Sequence, residues 1–239
     1  MKWLDSRVES ARDHLALDEA MLMAAENTGS GEVIRVWEFS KRVVIAGRST
    51  KIAQEIDVEF CNKSGVEILR RCSGGASVVG GPGCLMYSIV LSLEHNPLLR
   101  KIDYAHQFVM SRVFSAVHNQ VSQISLCGIC DLAWKGRKFS GNSLRVHRDH
   151  LLYHGTILYS FDLGFLHRCL KFAPRQPEYR QGRDHYDFVT NVPINQNTLC
   201  VDLCSQFEAF ESNDLDEYRC FMQQIRLDRY DRSDWHWRH

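Results

Sequence analysis

The sequence predicts an α+β fold with a mixed, mostly antiparallel sheet flanked by helices, and three observations carry that reading. Short runs rich in branched and aromatic residues come in groups rather than alternating singly with helices. Segments with apolar residues at three-to-four spacing stand outside those groups. The chain has 239 residues and is 44% hydrophobic, enough for one sizeable core, so residues 1–239 are read as one domain.

The elements follow in order. Leu15, Ala16, Ala20, Met23 and Ala24 predict a helix over 12–27, which Gly29 and Gly31 stop. Two β-rich runs, Val33 to Phe39 and Arg42 to Gly47, are joined through Ser40-Lys41 in the manner of a hairpin. A short helix over 58–63 leads to the strand V-E-I-L-R-R at 66–71. Beyond a glycine-rich stretch, C-L-M-Y-S-I-V-L-S-L (84–93) is continuous and apolar, the pattern of a buried strand. Pro97 opens a helix carrying Leu98, Ile102, Ala105, Val109, Val113 and Ala116. Strands are expected over 124–134, 138–146 and 151–159, with a turn at Lys135-Gly136, and Phe207, Phe210, Leu215, Tyr218, Phe221 and Ile225 predict a closing helix over 205–227.

Composition narrows the function. Lys plus Arg equals Asp plus Glu, 29 of each, so no bulk basic field announces nucleic acid or a membrane surface. Any anion must then be met by a local site. The N-terminus M-K-W-L-D-S-R-V-E-S-A-R-D-H lacks the apolar core of a signal peptide, and no later segment has the apolar length of a membrane span, so a cytoplasmic protein is expected. The nine cysteines are odd in number and irregularly spaced, which predicts reduced, packed thiols.

The stretch R-R-C-S-G-G-A-S-V-V-G-G-P-G-C (70–84) lacks the Lys-Ser/Thr pair of a P-loop and the G-x-G-x-x-G spacing of a dinucleotide fold. It reads as a strand ending in Arg70-Arg71, a turn at Ser73-Gly74-Gly75, a β run over 76–79 and a second turn at Gly80-Gly81-Pro82-Gly83. Such a turn can bring backbone N–H groups close to an anion while arginines supply charge. The same residues also suit two plain β-turns with solvent-exposed arginines. A second stretch, C-D-L-A-W-K-G-R-K-F-S-G-N-S-L-R (130–145), brackets a turn with Lys135, Arg137 and Lys138; in a strand only one of the last two faces a site. A third, Y-H-G-T-I-L (153–158), sets His154 at the start of an apolar strand.

Taken in order, H-L-A-L-D-E-A (14–20), V-I-A-G-R (44–48), R-R-C-S-G-G-A-S-V, D-L-A-W-K-G-R-K-F-S-G-N-S, H-G-T-I-L and R-Y-D-R-S-D-W (229–235) make the chain resemble the lipoate-protein ligase A family, within the biotin/lipoate ligase and octanoyltransferase superfamily. The resemblance covers nearly the whole chain. It implies a biotin/lipoate ligase catalytic-domain fold without a separate C-terminal accessory domain. It also implies an enzyme that joins lipoate or octanoate to AMP from ATP, with Mg2+, and then acylates a lysine of a lipoyl domain. Acceptors would be 2-oxoacid dehydrogenase subunits or the glycine cleavage H protein, with a separate accessory chain as a further partner. By the same resemblance Arg71, Ser73, Gly74, Gly75, Ala76 and Ser77 would hold the nucleotide phosphates, with His154 in the binding site. Lys138 would stand between carboxylate and α-phosphate, and Val78 and Val79 would line the acyl tunnel.

Three departures accompany the resemblance. Ala76 replaces the third glycine of the usual triplet, a position a residue with negative φ can occupy. Gly80-Gly81-Pro82-Gly83-Cys84 is closer to the Gly-Pro-Gly of octanoyltransferases than to the ligase segment. No accessory domain of the kind the larger ligases carry is expected within 1–239. These leave open a cysteine-dependent octanoyltransferase, with Cys130 rather than Cys127 as nucleophile and Lys138 lowering its pKa, and also a non-catalytic binder of lipoyl domains or acyl-nucleotides. Biotin ligation fits less well, because the Gly-Arg-Gly-Arg type loop is missing. Structural zinc is not expected: Cys127-x-x-Cys130 and Cys200-x-x-x-Cys204 lie in apolar sequence, and strand spacing would not gather His147, His150 and His154 on one face.

Overall fold

A computed structural model describes residues 1–5, 8–212 and 214–239. Its strands and helices run β1 (Lys2–Leu4), α1 (Ala11–Thr28), β2 (Val33–Glu38), β3 (Val43–Ala46), α2 (Ile52–Glu55), α3 (Val58–Lys63), β4 (Glu67–Arg70), β5 (Val78–Gly80) and β6 (Cys84–Ser92). There follow α4 (Ile102–His118), β7 (Ile124–Cys127), β8 (Asp131–Trp134), β9 (Arg137–Val146), β10 (His150–Leu158), α5 (Leu163–Cys169), α6 (His185–Phe188), α7 (Gln196–Gln206), β11 (Phe210–Ser212), α8 (Asp216–Ile225) and α9 (Ser233–His236).

Eight strands form one sheet in the order β11-β1-β2-β6-β10-β9-β8-β7, and β4-β3-β5 form a second. Among the strand pairs, β1 with β11 and β2, and β3 with β4, are parallel and the others antiparallel. The predicted mixed α+β architecture is therefore what the chain adopts. Three apolar cores hold it. One lies between the large sheet and α4 with α7, built on Ile89, Val109, Val113 and Leu203. Another lies on the sheet's other face beneath α1 and α8, with Leu17, Met21, Val90 and Tyr218. A third packs the small sheet on α2, α3 and α5 through Val44, Ile52, Cys61 and Phe165.

Local signals place α1. Ser10 and Asp13 form a reciprocal capping box at its start, and Gly29 ends it at φ 67°. Its buried face is not purely apolar: His14, Asp18 and Glu19 are buried beside Leu15 and Leu22. The helix expected from Pro97 begins as a 3-10 turn and becomes α4, with Ala105, Val109, Val113 and Ala116 inward as their spacing required.

Several expected connections differ. The runs at 33–39 and 42–47 do not form a hairpin: β2 pairs with β1 and β6, and β3 with β4 and β5. All four residues of β3 are buried, so the strand needs apolar cover on both faces, which the small sheet supplies and an exposed hairpin does not. The strand expected over 124–134 is two, turned at Gly128. The closing helix over 205–227 is broken as well, because Glu208 adopts a positive φ of 50° after α7 and β11 then pairs with β1 before α8 begins. No helix among the described residues is long and apolar enough to cross a membrane.

Candidate functional site

Two pockets meet at the seam between the sheets. The inner one, about 680 Å³, is lined by Leu15 and Asp18 of α1, Trp37, Ile45, Met86 and Ser88 from the strands, and His154. The outer one, about 830 Å³, is lined by Glu55, Leu166, Lys171, Arg175, Arg180, His185 and Phe188. Ala76, Ser77, Val78, Lys138, Gly141 and Thr156 line both, so they form the junction. The inner wall is strand and helix. Much of the outer wall is the segment between β10 and α7.

Lys138 sits at that junction with its Nζ 2.7 Å from Asp131 Oδ1, and the Tyr179 hydroxyl donates to Asp131 Oδ2 at 2.7 Å. Burial, reinforced by Asp131, pushes the Tyr179 phenol well up, so it stays a donor. A β-carbon at Gly141 would stand 3.0 Å from Lys138 Cε and Nζ, so glycine there leaves the ammonium room.

The turn after β4 is held from behind. Arg71 donates from Nε to Ser73 Oγ at 3.0 Å, from Nη1 to the Ile45 carbonyl at 3.3 Å, and from Nη2 to the carbonyls of Gly74 and Ala76. Thr50 Oγ1 donates to the Gly75 carbonyl at 3.2 Å, and Ser143 Oγ to that of Gly74 at 3.0 Å. With three successive carbonyls tied down, the turn's acceptors are neutralised and an anion beside it is not repelled. Ala76 fits because its φ is negative. Burial brings Arg71 down to about 10, still charged at neutral pH. Ser77 enters differently from the expectation that the turn's amides face a ligand: its N–H donates to Glu55 Oε2 at 2.7 Å, while its buried Oγ has no partner among the described residues.

Ser73 and Gly74 line neither pocket. Ser73 instead joins a relay, with its Oγ 2.5 Å from His154 Nε2 and His154 Nδ1 3.1 Å from Asp18 Oδ2. Burial would raise the Asp18 carboxyl, but the hydrogen bond from His154 and the charge of Arg35 outweigh it and hold it below its usual range. An ionised Asp18 only accepts, so His154 donates to it from Nδ1. Arg35, fully buried and 3.2 Å from Asp18, completes the support.

Arg180 and Cys130 differ in what they offer the cavity. Arg180 is buried, its guanidinium 4.8 Å from the ring centres of both Phe172 and Phe188, and its Nη2 has no partner among the described residues. Cys130 lines neither pocket, and its Sγ donates to the Asn142 carbonyl at 3.3 Å. Burial, with Asp131 adding to it, pushes the Cys130 thiol up to about 11, against the lowering by Lys138 that its candidacy assumed.

Of the residues singled out in sequence, Arg71, Gly75, Ala76, Ser77, Val78, Val79, Lys138 and His154 converge on the two pockets. Gly80 to Cys84 do not: the Gly83 N–H donates to Glu38, and a β-carbon on Gly83 would meet the Ser160 carbonyl at 2.4 Å, so this turn is a packing device. The three histidines do not converge, as their spacing in a strand implied. The turn between β9 and β10 brings His147 Nδ1 and His150 Nδ1 to Glu26 at 2.9 and 3.3 Å, while His154 goes to Asp18. Sequence reasoning missed Asp18 and Arg180. Asp18 left a signal, a carboxylate three residues from Leu15 on the apolar stripe of α1; Arg180, in a loop, left none.

The sequence matches the family of lipoyl protein ligase A/B catalytic domains over residues 10–201. It is 28% identical over 195 residues to the octanoyltransferase LipM of Carboxydothermus hydrogenoformans, covering 75% of this chain and 72% of that protein. It is 23% identical over 209 residues to the lipoate-protein ligase LplJ of Bacillus subtilis, covering 81% and 61%. Among solved structures, the bipartite lipoate protein ligase from Thermoplasma acidophilum, described with its E2 lipoyl domain, superposes with a TM-score of 0.84 at 20% identity, covering 99% of this chain and 95% of that one.

Proposed function

Since this chain belongs to the family of lipoyl protein ligase A/B catalytic domains, and so to the enzymes that include lipoate ligases and octanoyltransferases, we propose that it is the ATP-dependent kind, a lipoate-protein ligase. The observation that carries this reading is the outer pocket: beyond Lys138 lies a second chamber with Lys171, Arg175 and an unpartnered, buried Arg180 Nη2. Such a group is costly unless an anion completes it, and a nucleotide phosphate supplies one. A thioester exchange needs no such chamber.

The acyl chain would occupy the inner pocket among Leu15, Trp37, Ile45, Val78 and Met86, where each buried methylene contributes about 0.8 kcal/mol. Its carboxylate would reach Lys138. With the nucleotide in the outer pocket, the carboxylate oxygen attacks the α-phosphorus and pyrophosphate leaves. The acceptor lysine amine then attacks the acyl carbonyl, and AMP leaves. Charge builds on phosphate oxygens in the first step and on the carbonyl oxygen in the second, and Lys138 at the junction answers both. Arg71 and the Ser73–His154–Asp18 relay keep the turn in place.

Magnesium would arrive with ATP, but the carboxylates lining the pockets do not form a resident site for it. Asp131 is committed to Lys138 and Tyr179, Asp18 to Arg35 and His154, and Glu55 to the Ser77 amide.

The octanoyltransferase reading requires a thiolate. A thiol at about 11 is ionised only to roughly one part in ten thousand at pH 7, and Cys130 stands outside both pockets. The deciding experiment offers an apo lipoyl domain two mixtures, lipoate plus ATP, or octanoyl carrier protein without ATP, and reads acceptor mass. Product from the first alone is expected. Product from the second alone, lost in Cys130→Ser, would replace the ligase reading.

A further inference from the structure

We propose that a basic strip running from the rim of the outer pocket across α2 to Arg48 and Arg238 is the docking surface for the acceptor domain, which meets it with an acidic surface beside its target lysine. The inference rests on the acyl-transfer reading above and adds to it where the acceptor sits.

The strip is continuous. Lys171, at the pocket rim, donates from Nζ to the Ala53 carbonyl at 3.1 Å and from its backbone N–H to the Glu55 carbonyl at 2.8 Å, so it lies along α2. Lys51 caps the start of α2, and the Ile52 N–H points to the His239 carbonyl at 3.5 Å, which brings the C-terminal residues alongside. Arg238 Nη2 donates to the Arg48 carbonyl at 2.8 Å, and the Arg48 N–H donates to the Ser73 carbonyl at 2.8 Å, returning to the turn that walls the inner pocket.

The chain has no net charge, yet Arg48, Lys51 and Arg238, outside the nucleotide chamber, form no ion pair among the described residues. Neighbouring cations behave otherwise: Arg12 pairs with Glu67, Arg226 with Asp13 and Asp231, and Arg232 with Asp234. Arg48, Lys51 and Arg238 are all exposed. Burial, then the charges of Arg48 and Arg229, lowers Arg238. Like charges with no carboxylate within ion-pair distance among the described residues favour an external anionic surface. The strip starts at the rim of the outer pocket, which opens onto the junction where the acyl carbonyl would be presented, so a protein carrying the acceptor lysine fits it.

The test uses the unaltered chain and the triple variant Arg48→Glu, Lys51→Glu, Arg238→Glu, with the glutamine triple as a milder form. Binding of an apo lipoyl domain is titrated directly, without catalysis, and is expected to weaken at least about tenfold in the glutamate triple and less in the glutamine triple. Raising salt from about 50 mM to about 500 mM weakens binding to the unaltered chain much more than to the variant. Lipoate-dependent ATP–pyrophosphate exchange, run without acceptor, is expected to stay within about twofold. Unchanged domain binding in the glutamate triple overturns the docking surface. Loss of exchange in the glutamate triple in parallel with its loss of domain binding overturns it too, by assigning the strip to the nucleotide. No exchange by the unaltered chain would defeat the ligase reading alone, since the binding titration still decides the docking.

Discussion

The inner and outer pockets share a wall and differ in how their polar groups are spent. In the inner pocket Arg71, His154 and Asp18 are all bonded to the protein itself. In the outer pocket, among the described residues, Arg180 keeps a buried nitrogen with no partner, and Lys171 and Arg175 form no ion pair. Both contain a buried arginine, so burial and charge do not separate architecture from binding. Lack of a partner alone does not either, since Arg35 Nε and Arg70 Nη2 are also unpartnered among the described residues; Arg180 differs because it lines a cavity that an anion can enter.

The contrast is most exposed at Lys138, which belongs to both pockets. Lys138→Ala is expected to lower kcat/KM for acceptor acylation by about 10²–10³, with the thermal midpoint little changed; near-normal turnover would remove the junction from the chemistry. Next in size is Arg71→Met, which removes a donor from the carbonyls of Ile45, Gly74 and Ala76. A stability loss of about 3 kcal/mol is expected, read as a lower urea midpoint, and full stability with lost activity would move Arg71 from wall to ligand binder.

Arg180→Met should show the opposite pattern. Its KM for ATP rises about 10- to 100-fold, while the KM for lipoate and the urea midpoint hold; a matched fall in stability would make Arg180 architecture too. His185 offers a smaller, pH-dependent test. Burial, then Arg180 and His167, lowers its pKa to about 4, below the unfolded value of about 6.5. The folded chain therefore resists protonation that the unfolded chain accepts, and stability falls as pH drops from about 6.5 to about 4. His185→Gln should flatten that part of the urea-midpoint profile; an identical profile would contradict the buried, neutral ring. Least affected is Cys130→Ser, expected to keep activity within about twofold in the ATP mixture.

The fold class was legible because apolar periodicity reports local burial directly, as in α1 and α4. Connections were less so. Ser40-Lys41 looks like a hairpin turn locally, and only the competition of β6 for β2 and of β4 for β3 separates the two strands. The helix expected over 205–227 kept its apolar spacing across a break, because β11 is fixed by its pairing with β1 and not by its own residues.

The sequence by itself determined the residue types at the site: a glycine-rich turn behind two arginines, Lys138 after a tight turn, and His154 before a glycine. Tertiary structure decided what each is free to do. Ser73 meets His154 across 81 residues and His154 meets Asp18 across 136, so no local pattern could announce that relay. The same holds for the carbonyls that occupy Arg71 and for the partner that Arg180 lacks. Hydrogen-bond satisfaction is a property of the packed three-dimensional neighbourhood, whereas propensity and periodicity read only the chain.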